Sequence, residues 1–163
     1  MKKLLLLLTM LVLSIEMQAQ GTSWSNATLV KDGETVSGTL DETNQDAWFK
    51  IELAKEGNVT FDAKSDANPV LRYISINIKN AQGTDYKEIG WIYLNNEEKP
   101  YTEYGLKPGT YYIRLHWQTK AGKYTMKYTY TAPNYQNDPE PNDEWKQASK
   151  LENGQTVQGL LGY

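Results

Sequence analysis

The chain has 163 residues, no cysteine, a single histidine and a formal net charge of −3. Lack of cysteine excludes disulfide staples, thiol catalysis and thiolate metal sites, and the mild acidity argues against nucleic acid or an anionic membrane as partner. Five Trp, twelve Tyr and two Phe make a composition that suits strands and wet binding faces alike.

The first segment, MKKLLLLLTMLVLSIEMQAQ, places Lys2 and Lys3 ahead of an apolar run from Leu4 to Ile15. Ala19 offers a small residue for cleavage before Gln20. This pattern reads as a secretory signal peptide over 1–19, because the apolar run is too short to span a bilayer. No cysteine follows that could carry a lipid. Lys2, Lys3 and Glu16 leave with the leader, taking the net charge from −3 to −4. The mature chain is expected to be secreted (extracellular, periplasmic or at the cell surface), with no membrane insertion.

From Gly21 onward, short alternating runs are punctuated by turn residues, as in an all-β sandwich. Thr35–Leu40 follows the Asp32-Gly33 turn. In Ala47–Leu53 the inward residues are Phe49, Ile51 and Leu53. Glu56-Gly57-Asn58 turns into Val59–Ala63, which aligns Val59, Phe61 and Ala63. Arg72–Lys79 directs Ile74, Ile76 and Ile78 to one side, and Gln82-Gly83 ends it. Tyr86–Leu94 is a less regular strand, and Lys99–Tyr104 leads to a turn at Pro108-Gly109, where glycine can supply a positive φ. Thr110–Trp117 then sets Tyr111, Ile113, Leu115 and Trp117 against Tyr112, Arg114 and His116 on the opposite face. Lys123–Tyr130 aligns Tyr124, Met126, Tyr128 and Tyr130. Helical periodicity is nowhere sustained; Thr22–Ala27 and Asp143–Ala148 make at most one turn each.

Residues 133–142 have the composition of a linker, rich in Pro, Asn and acids. Beyond it Trp24, Ala27, Val30, Gly33, Thr35, Val36, Gly38 and Leu40 recur as Trp145, Ala148, Leu151, Gly154, Thr156, Val157, Gly159 and Leu161. The offset is a constant 121 residues, with eight matches in seventeen positions and no gap. A tandem repeat explains this, and gives a domain at 20–132 followed by the start of a second copy at 143–163. A first strand alone cannot bury its apolar face. The tail is therefore expected to be a truncated piece of a longer array, or a strand that docks on its own domain, another copy or a partner.

Three blocks resemble the bacterial pre-peptidase C-terminal domain family: the opener Ala27–Leu40, the stretch Gln45–Leu53 (QDAWFKIEL) and Leu106–Leu115 (LKPGTYYIRL). The resemblance covers Trp24 to about Tyr130 and the beginning of a second copy from Asp138. It implies a jelly-roll-like antiparallel β-sandwich, used as a non-catalytic module of exported proteins and in some relatives binding collagen or polysaccharide. It also implies calcium in some members, held between a Glu-Pro-Asn-Asp linker and a later acidic pair. Glu140, Asn142 and Asp143 match the linker half, and Asp46 stands near the acidic pair of the first copy, where Trp48 occupies the place of a second Asp. Neither copy holds a whole site, and a solvated acidic linker is the simpler expectation.

Catalytic chemistry finds little to work with. His116 has no partner for a two-His metal motif, no G-x-S-x-G elbow accompanies it, and no glycine-rich strand-to-helix loop is present. A glycosidase-type carboxylate pair stays open, since spacing in sequence hides distance in space. The reading is a non-enzymatic accessory or binding domain for extracellular polysaccharide or protein, or one that assists secretion of an associated enzyme; the competing class is a structural spacer in a tandem surface array. Candidate ligand-binding residues are Trp48, Tyr112, Arg114 and His116. They share the outward parity of their strands and would form a platform if those strands are neighbours.

Overall fold

The computed structural model describes residues 20–66, 70–94, 99–134 and 144–159. Within them lie β1 (Thr28–Leu29), β2 (Thr35–Leu40), β3 (Asp46–Leu53), β4 (Gly57–Ser65), β5 (Leu71–Lys79), β6 (Tyr86–Tyr93), β7 (Tyr101–Leu106), β8 (Gly109–Trp117) and β9 (Gly122–Thr131). Two sheets result, one in the order β1-β3-β8-β5-β6 and the other β2-β9-β4-β7. All pairings are antiparallel except that of β1 with β3. The expected signal peptide (1–19) falls outside the described residues, as do most of the linker with Glu140, Asn142 and Asp143, and Leu161 of the repeat.

The strands form where alternation lets one face leave water. Phe49, Ile51, Ile74, Ile76, Ile113 and Leu115 of the five-stranded sheet, and Val36, Leu40, Phe61, Tyr124, Met126 and Tyr128 of the four-stranded one, are all buried in a single core. Phe49 on β3 meets Tyr124 on β9 edge-to-face at 6.3 Å, which joins the two layers. Burying side chains of this size contributes about 1.5–3 kcal/mol each, and with no disulfide such packing carries the stability.

Three register shifts interrupt the alternation among the described residues, and the one on β5 leaves Arg72 as the extra residue between Leu71 and Tyr73. Gly57 faces Leu106 and Val59 faces Glu103, so Tyr104 and Gly105 stand opposite Asn58 alone. Gly105 takes φ 64° there and donates its N–H to Asn58 Oδ1 at 3.1 Å. The strand expected to end at Tyr104 therefore continues to Leu106, and the positive φ of this hairpin belongs to Gly105 rather than Gly109, because an extra residue in one strand needs the left-handed conformation. On β6, Gly90 pairs with Ile76 and Glu88 with Asn77, which leaves Ile89 as the extra residue. A Cβ at Gly90 would run into the Tyr101 hydroxyl and Glu103 carboxylate, so this glycine lets β7 of one sheet approach β6 of the other.

The two short stretches at 22–27 and 143–148 contain single 3-10 turns, Trp24–Asn26 and Trp145–Gln147. Their bonds correspond one for one. Ala27 N–H donates to Trp24 O and Ala148 N–H to Trp145 O, each at 3.4 Å; Glu34 to Lys31 O and Gln155 to Glu152 O, each at 3.0 Å. Gly33 and Gly154 adopt φ 77° and 82°. Their surroundings differ: Val30 and Val36 are 2% and 1% exposed, whereas Leu151 is 62% and Val157 37% exposed.

Candidate functional site

β3 and β8 are neighbours, with Asp46 opposite His116, Trp48 opposite Arg114 and Lys50 opposite Tyr112. On the other side of β8 lies β5, which sets Tyr73 against His116, Ser75 against Arg114 and Asn77 against Tyr112. β6 completes the row with Tyr93 opposite Tyr73 and Trp91 opposite Ser75. The outer face of the five-stranded sheet thus gathers all four sequence-predicted binding residues and Asp46.

A charged network runs across this face. Arg114 grips Asp46 through Nε–H to Oδ1 and a second N–H to Oδ2, both at 2.8 Å. His116 Nδ1 lies 2.6 Å from Asp46 Oδ1, and since an ionised carboxylate only accepts, Nδ1 is the donor. Burial works to raise the Asp46 pKa; the His116 and Arg114 hydrogen bonds and charges outweigh it and hold the carboxyl below 3.8. Burial also works to lower the Arg114 pKa, but the same carboxylate more than offsets it, and the net shift is upward. The Arg114 guanidinium lies over Trp48 at 5.5 Å and Tyr73 at 5.6 Å, and Tyr73 stacks on His116 at 4.8 Å.

Trp48 and Tyr112 have the expected parity, yet they are buried rather than displayed as a platform. Trp24 meets Tyr112 edge-to-face at 5.7 Å. Tyr86, on β6, meets Trp48, on β3, at 4.8 Å. β8 and β5 lie between those strands, so the two rings arch over them. Beneath, Ser75 and Asn77 are fully buried. Asn77 Nδ2 donates to Ser75 Oγ and the Tyr112 carbonyl, while its Oδ1 is the one buried side-chain acceptor without a donor among the described residues.

On this face the aromatic surface open to solvent lies toward β6; elsewhere Tyr104 on β7 and Trp145 in the tail are also exposed. Trp91 is 52% and Tyr93 41% exposed. With Tyr73 and Glu88 they line a cavity of about 300 Å³. Strict alternation would put Glu88 and Trp91 on opposite faces; the bulge at Ile89 brings them to the same one. A glycine inside an alternating run, Gly90, is the signal that could have located this bulge in the sequence.

Calcium does not fit the described part of the implied site. Both Asp46 oxygens are taken by Arg114 and His116, and a hard cation needs several free oxygens. Among the described residues no group of three or more His, Asp or Glu could hold a metal ion. Nor is any described helix long and apolar enough to cross a membrane.

No protein-family model matches the sequence, and neither does any curated protein. Solved structures similar to this chain include the pre-peptidase C-terminal domain of collagenase from Bacillus anthracis, 15% identical with a TM-score of 0.49 over 63% of this chain and 94% of that one. The Yersinia pseudotuberculosis-derived mitogen is 16% identical, TM-score 0.43, over 67% and 90%. A periplasmic inhibitor of g-type lysozyme from Aeromonas hydrophila is 12% identical, TM-score 0.44, over 64% and 96%. The first belongs to the family that the sequence motifs resemble.

Proposed function

We propose that this chain is an exported, non-catalytic binding module that holds an extracellular polymer against the outer face of its five-stranded sheet, at the β5–β6 side. The observation that carries this reading is the exposure of Trp91 and Tyr93 beside a cavity of about 300 Å³. Large aromatics left in water on a rigid sheet are a cost unless a ligand covers them. The polar groups nearest to a catalytic constellation, Asp46, His116 and Arg114, are bonded to one another, and that network orients the face. The test is saturable binding of the mature chain to an array of extracellular glycans and matrix proteins. Trp91→Ala and Tyr93→Ala should abolish the signal and leave the melting temperature unchanged; binding that survives both changes refutes the assignment of this face.

A second reading, a spacer in a tandem array, draws on a different observation. Residues 144–159 repeat the turns of 23–38 bond for bond while leaving Trp145, Leu151 and Val157 exposed, as the opening of a second sandwich would. A fold that binds nothing on the array, joined to a downstream copy that melts independently, would select the spacer.

A further inference from the structure

We infer that the cavity between Tyr73, Glu88, Trp91 and Tyr93 is a cation site, shaped for the ammonium end of a lysine side chain presented by an extracellular protein. This rests on the binding reading above and selects protein over polysaccharide. The first ground is the angle between the rings. Tyr93 stands at 82° to Tyr73 with centroids 6.2 Å apart, and at 70° to Trp91 at 4.5 Å. Coplanar rings would make a strip along which successive sugar rings lie. Rings near right angles make a corner, which surrounds one compact group with more than one π face, and the face of an aromatic ring is its electronegative side.

The second ground is charge. Glu88 is the only carboxylate among the described residues that line the cavity, and no hydrogen bond or ion pair engages it among them. A carboxylate beside aromatic faces is the complement of an alkylammonium group. The third is that two of these rings already attract cations: Arg72 lies over Tyr93 at 5.9 Å and Arg114 over Tyr73 at 5.6 Å. Neither arginine lines the cavity. Arg114 is neutralised by Asp46, whereas Arg72 has no such partner among the described residues and acts as a like charge against an incoming ammonium. The walls are also held in place beforehand, since Tyr73 is fixed by its stack on His116, which lowers the ordering cost of binding. A cavity of about 300 Å³ sits at the small end of ligand sites and suits a single head group.

The experiment titrates the mature chain with tetramethylammonium chloride, N-acetyl-lysine methylamide and a neutral glucose hexasaccharide, following the indole N–H signal of Trp91 by NMR. Both ammonium compounds should shift it saturably and the hexasaccharide should not. Trp91→Ala, read by calorimetry, should weaken ammonium binding roughly 10-fold or more. Glu88→Gln should weaken it by about 3–10-fold and remove most of its salt dependence. Arg72→Ala should tighten it, an effect that mere loss of packing would not produce. A shift by the hexasaccharide and by neither ammonium compound overturns the cation site and leaves the binding module standing. If none of the three binds and the Trp91→Ala array signal matches wild type, both readings fall. Trp91-dependent sedimentation with phosphatidylcholine vesicles would assign the cation to a lipid head group and overturn the protein source.

Discussion

Residues 24–40 and the matching stretch that begins at Trp145 start from the same sequence pattern. In both, a 3-10 turn is capped from within: Asn26 Oδ1 accepts from Ser23 N–H at 2.8 Å, and Gln147 Oε1 from Glu144 N–H at 3.1 Å. In both, a side chain reaches back across the glycine turn: Glu34 to Lys31 N–H at 2.7 Å, Gln155 to Glu152 N–H at 3.0 Å. The bonds survive the exchange of Asn for Gln and Glu for Gln, since each needs only an acceptor at the right reach. The strand does not repeat so readily. Thr35–Leu40 pairs along its whole length with β9, whereas no strand is assigned at Thr156–Val157. Turns close within a few residues and need no partner. A strand leaves its backbone groups and apolar face unpaired until another strand and a core receive them.

The sharpest way to break this comparison is by deletion. Removing residues 20–40 takes away β1, β2 and the ladder that β2 makes with β9, and the remaining chain should lose its cooperative melt in circular dichroism. Removing 133–163 should leave the melting temperature where it was. Any large loss of stability in the second deletion would show that the tail is part of the core. Point changes give the same contrast at smaller scale. Leu40→Ala should cost about 2–5 kcal/mol in chemical denaturation, and Leu151→Ala no more than about 0.5 kcal/mol.

Next in size is the Asp46 network. Its carboxyl is held below 3.8 in the folded chain, so the stability it contributes is present above that pH and is lost as pH falls through the folded value. Asp46→Asn should cost about 1–3 kcal/mol at neutral pH and flatten the acid limb of the stability profile. A chain lacking 133–163 should keep that limb. At the alkaline end the sign reverses. Burial raises Tyr101, Tyr124 and Tyr128, the last to about 12, so their contribution is complete below pH 10 and fades as pH rises through the folded values. Ultraviolet titration should show these tyrosines ionising only with unfolding. The smallest effect expected is at the glycine turns. Gly33→Ala, at φ 77°, should cost about 1 kcal/mol, and Gly154→Ala, at φ 82°, nothing measurable in the global melt.

Most of the sandwich was legible because period-2 alternation is strong in β2, β3, β4, β5, β8 and β9. Phe49, Ile51, Phe61, Ile74, Ile113 and Met126 fall inside as the pattern requires. β1 was not legible, since two residues carry no period. β6 and β7 were blurred by their bulges, each of which moves every following side chain to the other face. The site was half legible. Parity placed Trp48, Tyr112, Arg114 and His116 on one face, and they are there. It could not say that Tyr86 would cover Trp48 or that Trp24 would cover Tyr112, because those rings arrive from other strands and turns. Nor could it find the open aromatic corner, whose Glu88 and Trp91 share a face only through the Ile89 bulge.

By itself, then, the sequence determined most of what closes within about ten residues: the alternating faces of the regular strands, the caps, the turns at Gly33 and Gly154 and the bond pattern of the repeated opener, but not the bulges at Gly105 and Ile89. Which strands became neighbours, which outward aromatics stayed in water and which carboxylate met Arg114 were decided only by the packed sheets. Asp46 and Arg114 are 68 positions apart, and separation along the chain says nothing of distance across a sheet. Local bonds are set by short-range geometry, but burial is a property of two surfaces, and the second belongs to another part of the chain.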